Sequence, residues 1–293
     1  MKKKILLSGA TGFLGSHLLE SFIAQGFDVA ILKRSTSNVW RIIHLVKEYK
    51  SYDIDKLTLK VVFNEFKPDL IVHTACSYGR NNESLTDILN TNLIFGVDLL
   101  EHAILNNVST FINTDSLLPR SINNYSLSKS QFSEWFENNS NNIQCINFKI
   151  EHIYGIHDDR TKFIPWILNE MMNKNESINL TSGIQLRDFI YVSDVVAAYN
   201  LVIHKIAMLQ DWNEFELGTN IFTEVKEFVL KLALTIENKF DIKILRRLNF
   251  GALPYRKEEI MIPVLDNSKL IELGWKPLVT IDEGIKKILN NYK

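Results

Sequence analysis

In the first half of the chain, short runs that are apolar on both faces alternate with longer amphipathic stretches. Ile5–Leu7, Val29–Leu32, Leu70–Val72, Thr110–Asn113 and Cys145–Lys149 read as strands covered on both sides, the pattern of a parallel sheet. Between them, Phe13–Ala24, Val39–Lys47, Leu57–Glu65, Leu85–Leu105 and Ser126–Phe136 read as helices. Leu89, Leu93, Val97, Leu100 and Ile104 recur at spacings of three and four, the stripe of a helix lying on a sheet. This alternation predicts an α/β fold with a doubly wound parallel sheet and right-handed crossovers.

After Gly155 the rhythm breaks. Thr161–Met172, Val195–Lys205 and Glu224–Glu237 read as helices, Asn173–Gln185 is polar and turn-rich, and strand signals are sparse. The pattern divides the chain into a sheet unit over 1–156, rejoined by 187–206, and a smaller irregular lobe over 157–186 and 207–293.

Composition narrows the class without naming it. The 293 residues suit one large unit or two intimate ones, and 46% apolar residues supply a sizeable core. A formal net charge of -1 lacks the basic excess of a nucleic-acid or anionic-membrane binder. Two cysteines, Cys76 and Cys145, are too few for a disulfide scaffold and point to a reducing, cytoplasmic setting. The lysines at positions 2–4 precede an apolar run cut short by Ser8-Gly9, so a buried strand at the protein's edge is expected there, not a signal peptide. No run reaches the roughly 18 uninterrupted apolar residues of a membrane span.

Gly9-Ala10-Thr11-Gly12-Phe13-Leu14-Gly15 follows the first strand and opens the first helix. Glycines there permit a tight turn and close approach of a pyrophosphate to backbone N–H groups at a positive helix end. The strand before and the helix after supply the context of a Rossmann dinucleotide fold, which assigns 1–156 to cofactor binding. An acidic residue after the second strand would hold an NAD ribose; Lys33-Arg34 stands there instead and favours NADP(H), with NAD(H) possible.

Tyr125 and Lys129 are four residues apart where a helix begins, hence on one face. The ammonium is expected to lower the phenol's pKa and make it a proton donor near neutrality. Thr114-Asp115-Ser116 ends the fifth strand, at the carboxyl edge where open α/β sheets bind ligands. His152, His157, Asp158 and Asp159 cluster after the sixth strand without a second ligand set, so no metal site is expected.

From Lys4 to Pro277 the chain resembles the extended short-chain dehydrogenases/reductases, the family of nucleotide-sugar epimerases, dehydratases and ketoreductases. The resemblance rests on the glycine loop, Asp53-Ile54, His73-Thr74-Ala75-Cys76, Asn92, Ser116, Tyr125 and Lys129. It continues through Glu151-His152-Ile153-Tyr154-Gly155, Arg187-Asp188-Phe189 and Leu273-Gly274-Trp275. It implies that Asp53, Ile54, Thr74, Ala75, Cys76, Asn92, Thr114, Tyr125 and Lys129 contact the cofactor. Ser116, with Thr114 as fallback, would hold a substrate carbonyl, Tyr125 would protonate it, and Lys129 would bind the nicotinamide ribose. Glu151, His152, Lys162, Phe163, Arg187 and Arg256 would bind a nucleotide-diphosphate sugar, with Arg187 on the phosphates. A homodimer follows by analogy.

Within that family, Lys149–Gly155, Lys162–Pro165 and Asn249-Phe250-Gly251 look like CDP-3,6-dideoxyhexose 4-ketoreductases. That implies NADPH-dependent reduction of a 4-keto sugar for a surface polysaccharide. An NAD-dependent 4-epimerase uses the same residues but favours an acidic ribose partner, and a 4,6-dehydratase needs Glu where Ser116 stands. A cofactor-binding regulator without catalysis has no need of Tyr125. The spacing from Ser116 to Tyr125 is shorter than usual in the family, which should open the site or move the Ser hydroxyl.

Overall fold

The computed structural model describes residues 2–80, 82–173 and 176–292. Its strands are β1 Lys4–Ser8, β2 Asp28–Lys33, β3 Lys50–Asp53, β4 Leu70–His73, β5 Thr110–Ser116 and β6 Gln144–Ile150. They continue as β7 His152–Tyr154, β8 Ile178–Leu180, β9 Leu186–Tyr191, β10 Trp212–Leu217, β11 Phe222–Glu224 and β12 Leu248–Phe250. The helices are α1 Phe13–Ala24, α2 Leu59–Phe66, α3 Leu85–Leu89, α4 Phe95–Leu105 and α5 Asn124–Asn138. After these come α6 Phe163–Asn173, α7 Val192–Lys205, α8 Val225–Phe240, α9 Ser268–Glu272 and α10 Ile281–Asn290.

Two compact units result, one of Met1–Ile150 with Val196–Leu217, the other of Glu151–Val195 with Gly218–Lys293. The expected divisions near 156 and at 187–206 are displaced. The returning segment is 196–217, because β10 adds itself to β6 in parallel register, Asn213 beside Ile146 and Phe215 beside Phe148. Of the polar stretch read over Asn173–Gln185, Lys174 and Asn175 lie outside the described residues, as does Met1 at the start of the chain.

The first unit is a seven-stranded parallel sheet in the order β10-β6-β5-β4-β1-β2-β3. β1 therefore lies inside the sheet, not at an edge. One face carries Leu6, Ile71, Phe111 and Cys145 against Phe63 and Phe66 of α2, Leu99 of α4 and Phe132 and Phe136 of α5. On the other, Phe148 stacks on Tyr199 of α7 with ring centres 4.3 Å apart, and Asn200 of α7 donates to Ser21 of α1 at 2.8 Å. Burial of this order, at about 25 cal/mol per Å² of apolar surface, is what drives the sheet and helices together.

Two expected helices change form. Val39–Lys47 holds only a 3-10 turn, Ile43–Leu45, with Ile42 alone fully buried. Leu85–Leu105 is helical but interrupted by a π turn at Asn90–Ile94. The extra residue rotates the buried stripe to Ile88, Asn92, Gly96, Leu99 and Ala103, while Leu89 is exposed. Mean hydropathy over Leu85–Leu105 reaches 1.3, although polar residues interrupt the run. In the second unit, β7, β9 and β11 form one small sheet, and β8 pairs with β12.

Candidate functional site

In the first unit the chain leaves β1 through Gly9, whose φ of +76° favours glycine. A Cβ at Gly9 would stand 2.5 Å from the Ala75 nitrogen, and one at Gly15 2.1 Å from the Gly9 oxygen. Thr74 closes the cradle, its Oγ1 donating to the Ser8 carbonyl at 2.8 Å. Among the described residues no side chain caps α1, and its first turn holds no acidic residue. A turn kept bare of side chains beside a positive helix end fits a dinucleotide's diphosphate. Gly9, Gly12, Gly15, Thr74 and Ala75 are thus brought together as the sequence reading expects.

The end of β2 is less simple. Lys33 forms a tight ion pair with Asp53, its register partner on β3, and Lys56 stands 3.6 Å from the same carboxylate. The Lys33 hydrogen bond, with the charges of Lys33 and Lys56, holds the Asp53 carboxyl below its ordinary pKa although its desolvation opposes this. Two residues assigned separately to the cofactor therefore bind each other. Arg34 is exposed, and its backbone N–H donates to Ser37 Oγ at 3.1 Å. Arg41, absent from the sequence reading, donates from its guanidinium to the Thr11 carbonyl in the glycine loop at 3.2 Å.

At the carboxyl end of β5 the reaction residues converge. Asn123 caps α5, accepting from the Ser126 N–H at 2.8 Å, which sets Tyr125 in the first turn and Lys129 one turn later. Lys129 is only 2% exposed. Tyr125 is half-buried, its ring centre 4.7 Å from that of Tyr78, and the Ser116 hydroxyl, which accepts from the Leu118 N–H at 3.1 Å, acts to lower the phenol's pKa. The short loop therefore still leaves the Ser116 hydroxyl within reach of the phenol. Thr114, the fallback, spends its hydroxyl on the buried Tyr199 at 2.7 Å.

The electrostatics correct one expectation. Lys129 does not bring the Tyr125 phenol toward neutrality in the free protein. Burial drives the Tyr125 pKa well above 10, Cys76 and Asp115 push the same way, and Arg80 and the Ser116 hydroxyl only partly oppose them. Burial also lowers the Lys129 pKa, against the pull of Asp115 and Cys76. The phenol therefore keeps its proton at neutral pH.

Asn92 sits fully buried in the π turn. Its amide donates to the Ser77 carbonyl and to Ser128 Oγ, both at 2.9 Å, and accepts from the Ser77 N–H at 2.6 Å. It clamps the loop after β4 to α5, one residue before Lys129, so its side chain serves the protein's own frame.

The second unit holds Glu151, His152, Lys162, Phe163, Arg187 and Arg256, assigned to a nucleotide sugar, and most of them have internal partners. His152 Nδ1 lies 2.8 Å from the largely buried Glu151 carboxylate, and Lys162 pairs with buried Asp158 at 2.8 Å. Phe163 is exposed beside Trp166, and Arg256 is exposed. Arg187 pairs with Glu259 and donates to the Leu186 and Ile260 carbonyls at 2.6 Å each. Asp188 faces elsewhere, accepting from the Thr219 N–H and hydroxyl at 2.9 Å. Glu259 lies in a string, Glu259-Ile260-Met261, that resembles the ketoreductase subgroup, but its pairing with Arg187 across 72 residues leaves no spacing to read.

Residues 5–218 match the NAD dependent epimerase/dehydratase family. Over 99% of this chain and 98% of the relative, the sequence is 32% identical to a CDP-abequose synthase of Salmonella typhimurium. The fold is similar to that of the UDP-glucose 4-epimerase of Thermotoga maritima, solved with UDP-glucose: TM-score 0.82, 24% identity, covering 98% of this chain and 97% of that one. It is also similar to the Thermus thermophilus UDP-glucose 4-epimerase solved with NAD: TM-score 0.81, 22% identity, covering 98% of each chain.

Proposed function

Because this chain belongs to the NAD dependent epimerase/dehydratase family, we propose that it is an NADP(H)-dependent reductase of a nucleotide-linked 4-keto deoxyhexose. The observation that carries this reading is the grouping of Ser116, at the carboxyl end of β5, with Tyr125 and, one helical turn after it, the buried Lys129. Tyr125 donates its proton to the carbonyl oxygen while Ser116 holds that oxygen, and Lys129 orients the cofactor ribose. The bound nicotinamide supplies the hydride. Asp115 followed by Ser116, where a dehydratase has Glu, leaves elimination without its second acidic residue.

Likeness to the CDP-abequose synthase supports a CDP-linked 3,6-dideoxyhexose as substrate and a cytoplasmic role in making a surface-polysaccharide sugar. Loss of NADPH absorbance with a panel of CDP-, dTDP-, GDP- and UDP-linked 4-keto sugars tests the reading. No turnover with any of them would overturn it. The Lys33–Asp53 pair supports a second reading, an NAD-dependent 4-epimerase, because it neutralises one of the two cations that favour NADP(H). NAD retained through purification would decide for that alternative. A homodimer is part of the proposal, and sedimentation reads it directly.

A further inference from the structure

The sheet face beneath α5 turns polar as it nears the reaction residues. Phe111 and Cys145 pack against Phe136 of that helix. Two residues further along their strands stand Asn113 of β5 and Asn147 of β6, register partners and both fully buried. Asn113 donates from its amide to Asn147 Oδ1 at 2.8 Å. The Asn147 amide donates in turn to Ser133 Oγ of α5 at 2.9 Å and to Glu214 Oε2 of β10 at 3.1 Å, and it reaches Asp115 Oδ2 at 3.4 Å. Two N–H groups thus serve three acceptors, one on each of three elements. Among the described residues, Asn113 Oδ1 has no hydrogen-bond partner.

A buried amide row with an unmet acceptor is a weak way to fill a core, since apolar groups of the same shape can replace both partners at little cost. Natural sequences break such packing rules mainly at functional sites. Ser133 shows what the row can serve. It lies four residues after Lys129 and eight after Tyr125, so the three occupy one stripe of α5. Asn113 lies three residues before Ser116 on β5. Asn147 therefore ties the helix that carries Tyr125 and Lys129 to the strand that carries Ser116.

We propose that Asn147 is a positioning residue: through Ser133 and Asn113 it fixes α5 against β5, and so sets where Lys129 meets the cofactor ribose. The inference rests on the assignment of Lys129 to that ribose in the function proposed above. A site must be held to within roughly 0.5 Å of its working geometry, so an anchor one helical turn from Lys129 is close enough to govern it.

Titration of the full-length protein with NADPH and with NADH, followed by the fluorescence of the reduced nicotinamide, reads this contact without any sugar substrate. Asn147→Ser and Ser133→Ala are each compared with wild type, alone and combined with Lys129→Ala. Ser133 is only half-buried, so its variant carries the test if the buried substitution fails to fold in a urea-unfolding control. Each substitution is expected to weaken the tighter-binding cofactor about threefold to tenfold by itself, but less than about twofold beside Lys129→Ala, because the contact it positions is then already gone. Equal losses in both backgrounds would make the amide row a support of the fold alone and overturn the proposal, as would no loss in either. Wild type that binds neither cofactor would bring down the cofactor reading, and this inference with it.

Discussion

The His73 imidazole and the Ser8 hydroxyl share a 2.7 Å hydrogen bond at the carboxyl ends of neighbouring strands, sealed from solvent. Burial, with the charge of Lys129 behind it, lowers the His73 pKa to about 3. The folded protein therefore keeps a neutral ring that the unfolded chain protonates near 6.5. Stability linked to His73 is complete above pH 6.5 and is lost as pH falls toward 3, by about 2 kcal/mol at pH 5. Urea denaturation at pH 7.5 and pH 5 should show that loss in wild type and about 2 kcal/mol less of it in His73→Gln. An equal loss in both would remove His73 as the cause.

Tyr125→Phe should lower turnover roughly a hundred- to ten-thousandfold while NADPH binding stays within about threefold. Because the phenol's pKa is raised, the donor form persists through neutral and mildly alkaline pH. The pH profile of kcat/KM for reduction should then stay flat from pH 6 to about 9 on account of this group. A fall centred near pH 7 would mean that the bound state reverses the shift.

Asn92→Ala leaves the Ser77 N–H and carbonyl without their partner in a buried place. The expected cost is about 1–3 kcal/mol of stability, read by chemical denaturation. Cofactor affinity should change little, and a large loss of affinity at unchanged stability would return Asn92 to the binding site.

Glu259 competes with any anionic ligand for Arg187. Glu259→Gln keeps a hydrogen-bond acceptor but removes the charge, so CDP should bind roughly two- to tenfold more tightly, measured by calorimetry. Weaker binding would show that Arg187 needs Glu259 to hold its position.

Much of this architecture could be read from the chain because its causes are local. Gly9 and Gly15 sit where backbone meets backbone, and only glycine fits, so the motif and the geometry are one statement. Tyr125 and Lys129 share a helix face by arithmetic alone. The losses came from distance and from polarity. Asn92 and Gly96 occupy core positions of the helix that a hydropathy stripe skips over, so of Leu89, Leu93, Val97, Leu100 and Ile104 only Leu100 is buried. Trp212–Leu217 mixes Asn213, Glu214 and Glu216 into a strand, because Glu214 is stabilised by Lys149 at 2.8 Å and Asn147 at 3.1 Å. Lys33 could not be recognised as spent until β3 brought Asp53 to its side.

The strand Trp212–Leu217 also sets an order of events during synthesis. Its partner β6 precedes it by 67 residues at the Asn147–Glu214 contact, and the whole of the second unit's first segment lies between them. A nascent chain that has emerged only as far as Ile150 carries a parallel sheet whose last edge, with Asn147 and Lys149 on it, faces water unpaired. Such an edge is open to mispairing until the ribosome delivers Leu217. The first unit is therefore the first to be translated, yet its sheet stays incomplete until Leu217 has been made, after the whole of Glu151–Val195.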